Sequence, residues 1–198
     1  MINAALIVAL VSYYTVMFIT PGPNNAMLTI SGIKFGFRRS IPHISGIAIG
    51  HAIQVSLVCL FLGYFLKEFP KFQLILKWLC FIYLLYLAYR MIGSIKDHQK
   101  DTGRPLRFYE ASLFQWINPK AWTIAMTVGS GFMPIEEKLW VAVLFTGLMS
   151  SIVSFPCISL WALFGTMIKK FVSNAKIKKI IEITFAVLLV LTGLYLIF

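Results

Sequence analysis

The stretch FITPGPNNAML, Phe18 to Leu28, places two prolines, a glycine and two asparagines inside what otherwise reads as one long apolar helix. Proline has no backbone N–H and suits the first position of a helix, while glycine and asparagine suit the position just before it. Gly22-Pro23 therefore reads as a cap followed by a fresh helix start, so the first helix is broken. A second interruption, QWINPKAW from Gln115 to Trp122, repeats the device with Asn118-Pro119. Both new half-helices expose free N–H groups and partial positive charge at their starts, an arrangement that binds anions.

The surroundings of these breaks are a membrane protein's. Of 198 residues, 59% are hydrophobic and 13% charged, too few polar groups to coat a soluble domain. A helix crosses a hydrocarbon core of roughly 30 Å with about 20 apolar residues. Six stretches qualify: Ile2–Ile33, Ile41–Leu66, Phe72–Met91, Phe108–Met133, Leu139–Ile168 and Ile180–Phe198. The connectors are short, so one membrane domain is expected over residues 1–198, with no cleaved leader, because no Lys or Arg precedes the first apolar run. Cys59, Cys80 and Cys157 each stand alone in apolar segments and read as small hydrophobes, with no metal-ligand spacing.

The net charge of +11 is distributed by loop, which excludes nucleic acid as its reason. Lys34, Arg38 and Arg39 follow the first span; Arg90, Lys96, Lys100, Arg104 and Arg107 follow the third; Lys169, Lys170, Lys176, Lys178 and Lys179 follow the fifth. The other loops hold only Lys67, Lys71 and Lys138. Loops rich in Lys and Arg stay in the cytoplasm, so both chain ends are expected outside it. Lys77 can snorkel to the outer surface from just inside the third span. Lys120 cannot, and a charge at the bilayer centre is costly.

Counting from the cytoplasmic charges at 1.5 Å per residue puts Asn24 about 15 Å deep, Asn118 roughly 16 Å, His51 about 18 Å and Lys120 about 20 Å. Four polar positions share one central layer. Spans one to three begin outside and spans four to six inside, so the halves, approximately 1–92 and 107–198, form inverted repeats with helices one and four broken at the midplane. Such repeats point to a transporter site at the breaks. Each residue also has a plainer role. Lys120 could bind only the carbonyls freed by the TPGP break. His51 could be a neutral, hydrogen-bonded packing residue rather than a proton carrier. Gln54, Asn24 and Asn25 could join helices rather than line a path, and Gly32, Gly36, Gly46 and Gly50 allow close packing. Glu110 and Glu182 sit near cytoplasmic helix ends, where negative charge suits a helix start. A membrane-embedded enzyme lacks the nucleophile, base or metal set it needs. A non-transporting scaffold leaves the shared polar layer without a reason.

TPGPNNAML, GIKFGFRRS (32–40), SGIAIGH (45–51) and QWINPKAW, in this order over essentially the whole chain, resemble the LysE/RhtB family of bacterial amino-acid exporters. The resemblance implies an inner-membrane carrier, without cofactor, that exports amino acids or close derivatives using the proton gradient. The family's motif residues carry over to Pro21, Gly22, Pro23 and Asn24, and to Asn118, Pro119 and Lys120. Ala111 departs from a glycine often found before the second motif. The flanks GFRRS and FQWIN look somewhat like the cysteine and O-acetylserine exporting branch. With no embedded Asp or Glu to hold an ammonium group, small neutral amino acids fit better than lysine.

Overall fold

The computed structural model describes residues 1–68, 78, 81, 82, 85, 86, 88, 89, 92, 103–134, 136–171 and 174–197. Among them the chain forms seven α-helices and no strand. Helix α1 is Ala4–Ile19, α2 Pro23–Phe35, α3 Phe37–Glu68, α4 Phe108–Phe114, α5 Pro119–Gly131, α6 Leu139–Ile168 and α7 Ala175–Ile197, with a short 3-10 turn at Lys169–Phe171. The expected third span, Phe72–Met91, lies outside the described residues but for isolated positions.

Both expected breaks are present. Thr20, the residue before a proline, is driven to extended backbone (ψ 145°) and ends α1; Gly22 is fully extended, and α2 restarts with Pro23 as its first residue. The axes of α1 and α2 differ by 56°. In the second break, α4 ends after seven residues, and α5 starts at Pro119 behind an Asn118 cap whose side chain accepts from the Lys120 N–H. The two breaks are unequal, since the first follows a 16-residue helix and the second a 7-residue one. Glu110 caps the start of α4 by accepting from the Arg107 N–H at 2.7 Å, and it takes both Arg104 guanidinium nitrogens at 2.7 Å.

Helix α3 begins four residues before the expected Ile41. The reason is Gly36, which adopts a left-handed φ of +82° and closes α2 by donating to the Gly32 carbonyl at 3.0 Å. A side chain disfavours that conformation, so glycine makes the reversal short and leaves the next residues free to start a helix. Pro42 consequently lies inside α3 rather than at its start.

Small residues set the packing. Helix α6 runs beside α1, α2 and α3, and α3 also covers α4 and α5. Gly32 and Gly165 meet where α2 crosses α6, and a Cβ on either would overlap a backbone carbonyl of the other helix. Gly46 faces Ala111 across the α3–α4 contact, so the alanine that departs from the family pattern still meets a glycine. Contacts of small residues bring backbones close enough for interhelical polar bonds. The interior holds Ser31, Ser40, Thr146, Ser150 and Ser154 beside Leu10, Phe18, Leu28 and Ile158, whereas Val8, Val16, Leu113, Leu144, Leu148, Ile152 and Met167 face outward. That is the reverse of a water-soluble helix bundle. Helices Phe37–Phe61 and Leu139–Phe171 are each long and apolar enough to cross a membrane, and the bent pair Ala4–Ile19 with Pro23–Phe35 makes a third span if taken as one.

Candidate functional site

The two breaks meet. At the first, the ring nitrogens of Pro21 and Pro23 and the end of α1 leave carbonyl oxygens without their usual helical donors. Two side chains supply donors. Asn25 Nδ2 reaches the Phe18 oxygen at 2.9 Å and the Thr20 oxygen at 2.7 Å from within α2. Lys120 Nζ, from α5, reaches the Thr20 carbonyl at 2.8 Å, the Thr20 Oγ1 at 2.7 Å and the Pro21 carbonyl at 3.1 Å. An ammonium has three N–H donors, and these contacts engage all of them with neutral oxygens.

A second link joins the breaks through an amide pair. Asn24 Nδ2 donates to Gln115 Oε1 at 2.9 Å and Gln115 Nε2 donates back to Asn24 Oδ1 at 3.2 Å. Gln54 Nε2 donates to the Gln115 carbonyl at 3.0 Å, so α3 braces the second break. The Oε1 of Gln54 is buried with no partner among the described residues.

Between the breaks lies a narrow cavity of about 20 Å³, space for the centres of one or two water molecules. Gly22, Pro23 and Asn24 from the start of α2, Asn118 and Lys120 from the start of α5, and His51 from α3 line it, with Met17, Phe18, Ile124 and Ile158 as its apolar walls. Both helix N-termini therefore address one space. Among the described residues, no Asp or Glu lines it. His51 is fully buried, with Nδ1 2.7 Å from Ser150 Oγ, Nε2 3.3 Å from the Ala121 carbonyl, and its ring edge-to-face with Phe18. Of the residues expected from sequence, Pro21 contributes its carbonyl and Pro119 is the buried first residue of α5, while Gln54 stands behind the cavity and does not line it. Thr20, Gln115 and Ser150 were not anticipated. Thr20 and Gln115 open the two quoted motifs, and a polar residue next to a helix break is a sequence signal for both. Ser150 is one of many serines and carries no such signal.

Outward apolar faces around a polar cavity built from broken helices mark an integral membrane protein. The family model of the LysE type translocators matches residues 15–198, and this chain belongs to that family. It is similar to the "Cysteine/O-acetylserine efflux protein" of Klebsiella pneumoniae subsp. pneumoniae, 31% identical over 69% of this chain and 70% of that protein. The proteins of the same name from Salmonella paratyphi A and Escherichia coli strain K12 are each 28% identical over 83% of this chain and 85% of their own length. No solved structure matches.

Proposed function

We propose that this chain exports small neutral amino acids or close derivatives, cysteine-like or O-acetylserine-like in size, from the cytoplasm in exchange for protons. The single observation that carries this reading is Lys120: a half-buried cation, bound among the described residues only by neutral oxygens, at a cavity faced by two helix N-termini. A substrate carboxylate supplies the negative charge that the cavity lacks. The substrate ammonium is received by the carbonyls of the first break that Lys120 then gives up, by Asn24 and by Gln115. The names of the relatives support the substrate class.

The same reading takes the chain as six spans in two inverted repeats in the bacterial inner membrane, both ends outside the cytoplasm. The Met1 ammonium lies 2.8 Å from Glu136 and the Ile2 N–H 3.1 Å from Glu137, which puts the chain start and the α5–α6 connector on one face. Rocking of the halves about the breaks alternates access.

Uptake of labelled amino acids into everted vesicles, with and without a proton gradient, tests this. Gradient-dependent accumulation of small neutral substrates is expected. A further arm compares ligand-induced thermal shifts of purified wild type, Lys120→Met and Lys120→Arg. Both variants should lose the shift, the arginine because a planar fork does not replace a compact ammonium. A retained shift in Lys120→Met places the carboxylate site elsewhere.

A further inference from the structure

We infer that Ser150 is the positioning residue for a proton carried by His51, its hydroxyl reversing direction as the imidazole gains and loses that proton. This rests on the proposed proton coupling and names the groups that perform it.

The direction of each bond follows from the acceptors. A carbonyl only accepts, so His51 Nε2 carries a hydrogen toward Ala121, and in the neutral ring Nδ1 presents its lone pair. Ser150 must then donate to Nδ1 across the 2.7 Å contact. The Tyr14 phenol donates to the Thr146 carbonyl at 3.0 Å and has Ser150 among its polar neighbours, with Cys59 and Tyr13. When a hydronium ion gives His51 its proton and leaves as water, Nδ1 becomes a donor and the Ser150 oxygen accepts its hydrogen bond. The Ser150 hydrogen turns to the Tyr14 oxygen, whose own hydrogen still points to Thr146. Every donor on His51, Ser150 and Tyr14 has an acceptor in both states. His51, Ser150, Tyr14 and Thr146 are each fully buried, so an N–H left without a partner here would be costly.

The titratable groups around the ring are few. Helix α1 brings Tyr14, α5 brings Lys120 on the shared cavity, and α3 itself brings Cys59 behind Thr146. Among the described residues, the polar side chains that α2 brings are Asn24 and Asn25, and α6 supplies the uncharged Ser150 and Ile158. With no carboxylate among the described residues beside the ring, a hydroxyl that can face either way is what accommodates the charged form.

The test uses full-length protein with ¹⁵N-histidine, and reads the His51 ring nitrogens by NMR from about pH 3 to 8, beside transport in proteoliposomes over the same range. In wild type, the protonation step of His51 and the pH midpoint of transport should coincide. Ser150→Ala should move both to lower pH by about one unit, a tenfold loss of proton affinity. Ser150→Thr, which keeps the hydroxyl, should restore them. Ser150→Cys, a weak hydrogen-bonding group of similar size, should move them in the same direction as alanine and serves if alanine does not fold. An unmoved His51 titration in both Ser150→Ala and Ser150→Cys overturns the inference, as does transport whose pH midpoint ignores His51. If no proteoliposome transports an amino acid while the NMR shifts appear as expected, the exporter reading fails and the Ser150–His51 pairing stands.

Discussion

The two helix breaks are built from the same residue types and solve their backbone problem in opposite ways. The second break closes on itself: residues 115–118 each donate to the carbonyl three residues earlier, at 3.1–3.3 Å, and Asn118 caps the helix that follows. The first break has no such turn and no side-chain cap at Gly22, so its carbonyls are satisfied by Asn25 and, across a separation of 100 residues, by Lys120. One break is a finished local structure. The other is a set of acceptors completed by its counterpart, and that dependence makes it the part able to change partners.

The largest effect on this asymmetry should come from Lys120→Met. Besides the loss of ligand response, it removes the Lys120 donor from the half-buried Thr20 and Pro21; the Thr20 carbonyl keeps Asn25, the Pro21 carbonyl loses its partner, and an acceptor left unpaired away from water costs about 1–3 kcal/mol. Tm should fall while insertion persists; an unchanged Tm would mean that water replaces the ammonium without loss. Asn25→Leu comes next. It removes the internal donor to Phe18 and Thr20 and should destabilise by a similar about 1–3 kcal/mol, but it leaves Lys120 in place, so ligand-induced shifts should persist at reduced Tm.

Asn118→Ala probes the self-sufficient break. Loss of an N-cap costs about 1 kcal/mol, and since the 115–118 turns remain, denaturation in mild detergent should show a smaller drop than for Asn25→Leu. A larger drop would reverse the comparison. The smallest effect is expected from Glu136→Gln at the outer ends of the two broken helices. The Met1 ammonium holds the Glu136 carboxyl below the usual carboxylate range. A depressed value means that the tie stabilises above that range and is lost as pH falls through the depressed value. Both partners are exposed, so the gain is slight and screened by salt. The Tm difference between wild type and Glu136→Gln should be greatest near neutral pH and disappear in acid.

Much of this site was readable from the chain alone, because proline and glycine act on the backbone they occupy. TPGP and NPK announce their breaks locally, and counting from the charged flanks brings Asn24 and Asn118 to one level, where the Asn24–Gln115 pair now joins the two breaks. Lys120 stood out because burying a charge is expensive wherever it happens. Partners were another matter. Thr20 and Lys120, or His51 and Ser150, are about 100 residues apart, and only the helix crossings decide which polar groups meet. The start of α3 was missed for the opposite reason: Gly36 reads as a packing residue until its left-handed backbone is seen. Gln54 shows a further limit, since its spacing from His51 gives no hint that it faces the Gln115 backbone instead of the cavity.

The three bonds of Lys120 also bear on how tightly such a site can hold its cargo. An ammonium with every donor engaged offers an arriving carboxylate an exchange of partners and not an additional bond, so much of the attraction is offset by what is released. If the site takes the substrate as proposed, shallow binding is expected, of the kind described by a millimolar Kd, about −4 kcal/mol. On the proposed reading, an exporter with that affinity would stay idle while the internal pool is low and run when the pool overflows, a relief valve whose threshold would be set by Thr20 and Pro21 as much as by the cation they hold.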